Sequence, residues 1–439
     1  MKATAPDLIE AGVPSFAVLG PEALGLTTAP VDLQQLPDGR LLAVGHRELA
    51  LGDGVRWEVF RQAEGNLRAD TVSVAVDKDG LIYAGVPGGF ARIDFGPDAR
   101  WKYTLVAELP PEADNRTPAL VNTIAVGGEW LWWWGSGKIF SWRPGSVPKV
   151  VGQANAPESA FLLEGKIHLS DGSNGALFRM EEGTFRLLTA AYSIRVDQTI
   201  TSLVALNEGR ALVGTISDGM QLAEGNRLRP LVTAGLLAGE HRINHICATE
   251  GGFFAAAVDN VGIVFFDREG RTIQVLDRSI DHRLAKVKRL LPTPGGVVWA
   301  LLNEGIARVA FPNRISHFES LVSTGLAFVQ PYRLNGQLWL LADGRALRGV
   351  YDEGHRLERF ELDTPPGMLS SMGELDGSLV ACSTAGIFLR EPPGKWSLVT
   401  ADTLSANLIP QPVAPGRWLY VAQDEVGWLK RTNGYFSVE

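Results

Sequence analysis

Short apolar runs recur along this chain, each led by a polar turn that ends in glycine and followed by a small-residue turn and a second apolar run. The copies read LPDGRLLAVGHRELALGDG from Leu36, VDKDGLIYAGVPGGFARID from Val76, VGGEWLWWWGSGKIFSW from Val126, LEGKIHLSDGSNGALFRM from Leu163 and NEGRALVGTISDGMQLAEG from Asn207. They continue as EGGFFAAAVDNVGIVFFDREG from Glu250, PGGVVWALLNEGIARVAF from Pro294, LNGQLWLLADGRALRGVYDEG from Leu334, LDGSLVACSTAGIFLREPPG from Leu375 and APGRWLYVAQDEVGWLKRTNG from Ala414. Runs such as LLAV, VVWALL and LWLLA lack alternation, which suits strands covered on both faces. The last part of each unit turns amphipathic, as in VRWEVFRQ, RTIQVLDR and KWSLVTAD, and predicts an outer, half-exposed strand. Helical periodicity is nearly absent.

The anchoring glycines, Gly39, Gly80, Gly128, Gly165, Gly209, Gly252, Gly296, Gly336, Gly377 and Gly416, follow one another at 37 to 48 residues. That is the length of a propeller blade of four antiparallel strands, a unit too small to bury its own faces. The expected fold is all-β: a β-propeller of about ten four-stranded blades, arranged as a seven-bladed ring with a partial second ring or as one larger ring. We expect a lead and ring-closing strand in residues 1–30, with Phe16 to Leu19 as the outer strand. A first propeller of about seven blades follows in residues 31–320, and about three further blades in 321–439. The stretch FPNRISHFESLVSTGLAF resembles the opening of the chain and puts a junction near residues 312–326.

The run EWLWWWGSGKIFSW has four tryptophans in positions 130–134 and a fifth at Trp142. It occupies the place of LLAV and LWLLA in other units, so packing between blades is its expected role. Alternation sends Trp130, Trp132 and Trp134 to one face and Trp133 to the other. At the strand end, Trp133 or Trp134 is also a candidate for stacking on a sugar ring.

Composition narrows the function classes. The 439 residues are 45% hydrophobic and 21% charged, with a net charge of -8 and basic residues scattered rather than clustered. A nucleic-acid footprint is missing. The two cysteines, Cys247 and Cys382, lie in apolar runs outside any zinc or disulfide spacing and read as small buried hydrophobes. The start MKATAPDLIEAGVPSF carries no secretory signal.

Catalytic chemistry finds little support. The seven histidines, His46, His168, His241, His245, His282, His317 and His355, form no HExxH, and the i,i+4 pair His241 and His245 opens a strand without a third ligand. No GxSxG elbow, P-loop or dinucleotide fingerprint is present. We therefore expect no catalytic residue, no metal and no cofactor. What remains is the ring of turns between the second and third strands of each blade, all on one face near the axis. From these turns the ligand-binding candidates are Arg47, Asn174, Asp218, Asp259, Asn260, Asn303 and Asp343, beside Trp133 and Trp134; Ser136, Thr384 and Asp424 hold equivalent places. Good turn formers fill such positions anyway.

Two copies, VDKDGLIYAGVPGGFARID and PGGVVWALLNEGIARVAFPNRISHF, resemble the blade motif of the two-component regulator propellers, through Asp77, Asp79, Gly80, Gly85, Gly89 and Arg92, and through Gly296, Trp299, Gly305 and Arg308. The resemblance implies a non-catalytic, periplasmic ligand-sensing domain of a bacterial receptor of two-component type. Its ligand would be a small molecule or an oligosaccharide, its partner a downstream kinase or other output domain, and a homodimer is a further arrangement to test. The family often carries two seven-bladed propellers and a small β-sandwich; ten units ending at GYFSVE depart from that, as a truncated piece or a different closure would. The alternatives are a sugar lactonase or lyase on the same scaffold, or a protein-protein interaction scaffold.

Overall fold

The apolar runs are strands, and they assemble four at a time. In the computed structural model the described residues are 13–63, 74–86, 89–108, 124–127, 130–135, 138–153, 157–163, 166–171, 177–181, 184–187, 199–206, 210–224, 227–239, 241–313, 316–317, 328–351, 357–391, 394–401, 403–404, 406–432 and 435–439. They divide into two compact units, Val13–Ser316 and His317–Glu439.

The first unit holds seven four-stranded blades. Blade 1 (residues 32–62) and blade 2 (74–108) join through a parallel contact of their outer strands, Arg100 against Arg61 and Trp101 against Gln62. Blades 3 (124–153), 4 (157–187), 5 (200–230) and 6 (243–277) are separate antiparallel sheets with strands in chain order. Blade 7 takes three strands from residues 287–310 and its outermost strand, Phe16–Leu19, from the chain start, with Phe16 opposite Val309 and Leu19 opposite Ile306. The innermost strand of blade 7, Val287–Thr293, lies beside that of blade 1, Asp32–Gln35. The seven blades therefore form a closed ring, and Phe16–Leu19 covers the edge that Ile306–Ala310 would otherwise leave unpaired.

The second unit contains three more blades: 8 (residues 329–362), 9 (369–400) and 10 (407–438). They pack through their own cores: Trp339, Leu341 and Ala346 of blade 8 against Met372, Leu379 and Ala381 of blade 9, then Val380, Cys382 and Ile387 against Trp418, Tyr420 and Leu429 of blade 10.

Burial follows strand rank. The second strands Leu41–Val44 and Phe254–Val258 are buried at every position, whereas the outer strands Trp57–Gln62 and Lys395–Thr400 are mostly half-buried or exposed. Stacking wedge on wedge hides both faces of the inner strands; no single blade could do so.

The tryptophan run belongs to one of these seams. Leu131 and Trp133 join Tyr83, Phe90, Phe140 and Trp142 in the core between blades 2 and 3, where the Trp133 ring stacks on Phe90 at 3.6 Å and 10°. The opposite face of blade 3 presents Ile139 to Leu169 of blade 4. Trp130 lies under the Arg143 guanidinium at 5.0 Å. The side chain of Trp134 falls outside the described residues.

Two glycine positions explain the repeat motif. The turn glycines Gly39, Gly80, Gly252, Gly296, Gly336, Gly377 and Gly416 all have positive φ, between 70° and 89°, a region that a Cβ penalises. Gly128, Gly165 and Gly209 lie outside the described residues. The glycine that opens the third strand is a second requirement. At Gly305, with φ 148°, a Cβ would run into the carbonyl oxygen of Leu19 in the closing strand; at Gly262, with φ 141°, it would meet that of Leu276.

Candidate functional site

A blade's innermost strand begins at the same end as the turn between its second and third strands, and backbone hydrogen bonds tie the two. The Asp259 N–H donates to Arg242 (2.9 Å), Asn303 to Lys286 (3.2 Å), Asp343 to Phe328 (3.1 Å), Thr384 to Met368 (2.9 Å) and Ile216 to Thr199 (3.0 Å). The turns and the strand starts thus share one end of each unit. This end is the candidate site.

The turn residues spend much of their polarity on the turns themselves. Asp259 accepts Lys286 Nζ at 3.1 Å and Asn260 Nδ2 at 2.8 Å, and Asn260 has φ 59°. Asp343, at φ 46°, accepts the Phe328 N–H at 3.0 Å. The Asp218 N–H donates to Thr215 Oγ1 at 2.9 Å, and its carbonyl accepts Gln221 Nε2 at 2.6 Å. Arg47, Asn303 and Asp424 are exposed. Asn174 and Ser136 lie outside the described residues. In the first unit Arg47, Asp218, Asp259, Asn260 and Asn303 therefore share an end of the ring, while Asp343 and Thr384 belong to the second unit. Trp133, 1% exposed, has no ring face to offer a ligand.

A second layer, deeper and closer to the axis, was not singled out from the sequence. In blades 4 to 7 and in blade 9 the innermost strand slips register near its start, between Pro157 and Ser159, Ile200 and Ser202, Ile243 and His245, Val287 and Arg289, and Leu369 and Ser371. Such bulges re-aim side chains. Several of these reach the next blade. Asn244 Nδ2 donates to the Val287 carbonyl at 2.8 Å, Thr201 Oγ1 to that of Ile243, and Ser370 Oγ to that of Ala406 at 2.8 Å. In blade 1, which has no bulge there, Asp32 Oδ2 accepts the Val74 N–H at 3.1 Å.

At the closing seam this layer becomes charged. Arg289 Nη1 donates to Asp32 Oδ1 at 3.1 Å across the join of blades 7 and 1, and Gln34 Nε2 bonds Asp32 Oδ2 (3.1 Å) and the Val74 carbonyl (3.2 Å). On blade 6, Arg242 Nε donates to Asn244 Oδ1 at 2.8 Å. His245 beside it is half-buried, with Nδ1 sealed and unpartnered. Burial, reinforced by the Arg289 charge, lowers its pKa from 6.5 to about 3, so the ring is neutral at physiological pH. Polar residues inside otherwise apolar inner strands were the available signal.

The cysteines are free and buried, and burial raises both thiols to about 12, which removes thiolate chemistry at neutral pH. Among the described residues no group of three or more His, Cys, Asp or Glu side chains gathers as metal ligands would.

No family model matches the sequence, and no curated protein does. Solved structures do match in fold. The extracellular domain of the putative hybrid two component system BT3049 from B. thetaiotaomicron aligns over 96% of this chain and 60% of its own, with a TM-score of 0.65 and 14% identity. The extracellular domain of the putative one component system BT4673 from the same organism aligns over 97% and 60%, with a TM-score of 0.52 and 14% identity. Virginiamycin B lyase from Staphylococcus aureus aligns over 68% of this chain and 99% of its own, with a TM-score of 0.51 and 11% identity. The chain spans 60% of the length of the two receptor domains. It is a β-propeller protein that shares its fold with extracellular domains of bacterial signalling receptors.

Proposed function

We propose that the chain is the non-catalytic, extracytoplasmic ligand-sensing part of a bacterial signal-transduction receptor of two-component type. One observation carries this reading: 96% of the chain superposes on a receptor extracellular domain with a TM-score of 0.65. A small molecule or an oligosaccharide binds at the turn end of the seven-bladed ring, near Arg47, Asp218, Asp259, Asn260 and Asn303, and the signal passes to a kinase or other output domain outside this chain. The ligand acts by binding one arrangement of the domain more tightly than another, since equal affinity for both would shift nothing.

The test separates a sensor from a lyase or lactonase on the same scaffold. Purified chain is screened by thermal shift against a panel of oligosaccharides and small organic acids, and each stabilising compound is recovered and weighed by mass spectrometry. A sensor raises the melting temperature and returns its ligand unchanged. Conversion of the compound by the chain alone overturns the reading.

A further inference from the structure

We propose that the axial mouth at the closing seam, built from His245 of blade 6, Arg289 of blade 7 and Asp32 and Gln34 of blade 1, binds a ligand that bears a carboxylate beside a hydroxyl, as a sugar acid does. This rests on the ligand-sensing reading and deepens it.

Arg289 is the anion hold. It gives one N–H, from Nη1, to Asp32, and its Nε and Nη2 have no partner among the described residues. That free edge is the side-on pair of parallel donors that grips a planar carboxylate. The Arg289 side chain is 39% exposed while its partner Asp32 is 8% exposed, so the guanidinium faces solvent from a buried anchor.

Asp32 does not need Arg289 to be satisfied. It also accepts the Leu33 N–H at 2.8 Å, Gln34 Nε2 at 3.1 Å and the Val74 N–H at 3.1 Å. The ion pair therefore orients the arginine more than it rescues the aspartate. Lys288 beside Arg289 is exposed, whereas Lys286 is already paired with Asp259.

His245 supplies the second contact. Its Nδ1 is sealed and out of a ligand's reach, whereas its Nε2 is neither sealed nor hydrogen-bonded among the described residues. Being neutral, it adds no charge beside Arg289, and its exposed edge meets a hydroxyl better than a second anion.

The experiment is calorimetric titration of the full chain with D-glucuronate, D-glucose and acetate at low salt. Glucuronate is expected to bind about tenfold or more tightly than glucose, and acetate to bind weakly through Arg289 alone. Arg289→Gln should remove the preference for glucuronate, and Arg289→Lys, which keeps the charge without the fork, should not restore it. His245→Phe should weaken glucuronate and leave acetate unchanged, with circular dichroism showing the same fold.

If acetate binds as tightly as glucuronate, the hydroxyl contact is wrong and the proposal fails in that part. It fails entirely if glucose equals glucuronate, if neither carboxylate binds, or if both Arg289 variants keep wild-type affinity. A neutral oligosaccharide whose binding ignores Arg289 sinks this site while leaving the sensing reading in place; chemical conversion of a ligand sinks the sensing reading and leaves the site.

Discussion

His245 shows how far a residue's meaning depends on its surroundings. With His241 four positions earlier it has the spacing of a ligand pair but no third ligand, and the structure gives it burial, a nearby arginine charge and no partner for Nδ1. Burial comes first among the causes that lower its pKa. In the unfolded chain the imidazole takes up a proton below its ordinary value of 6.5, whereas in the fold it does so only at about 3. Between those values the unfolded state binds more protons, so stability rises with pH through this window and is lost on acidification. Urea unfolding midpoints should therefore fall as the pH is taken from about 7 to about 5, and His245→Phe should flatten that slope. An unchanged slope in the variant would place the acid sensitivity elsewhere. Trp133 makes the complementary point: its packing role was legible from its place in the repeat, because a strand in that position has a blade on each side.

At the scale of the element, the blade's four strands, its turn glycines and its amphipathic outer strand were readable, since period and turn chemistry are local. The requirement at Gly305 was not. Its match to the blade motif gave the residue without the reason, which is the carbonyl of Leu19 lying where a Cβ would sit. Gly377, with φ 75° and open space around it, carries only the backbone cost. Gly305→Ala is expected to destabilise the protein by about 2 kcal/mol or more, and Gly377→Ala by about 1 kcal/mol, in chemical denaturation. Equal effects would mean that the closing strand yields to the methyl group. The inter-blade contacts of Thr201, Asn244 and Ser370 also escaped the sequence, because a bulge is a mismatch between two strands and is written in neither alone.

For the whole ring, closure depends on a strand from one end of the unit completing a blade at the other. Phe16–Leu19 supplies the outer strand of blade 7, and Arg289 meets Asp32 across 257 residues. Removal of residues 1–19 should leave the Ile306–Ala310 edge unpaired. The expected result is a lower melting temperature and concentration-dependent light scattering; a monomer with wild-type stability would show that the ring closes without this strand.

The apolar runs, the turn glycines and the near-constant spacing determined an all-β propeller of repeated blades, because each of these signals lies within about forty residues and reports on local backbone and burial. Which blades share a ring was decided only by the tertiary structure. Blades 7 and 8 have the same local pattern, and nothing inside either says where the circle ends. The pairing of Leu19 with Ile306, the packing of Trp299 and Leu301 against Leu33 and Ala43, and the ion pair of Arg289 with Asp32 all arise when the two ends of the first unit meet. Contacts that far apart in sequence leave no period to read.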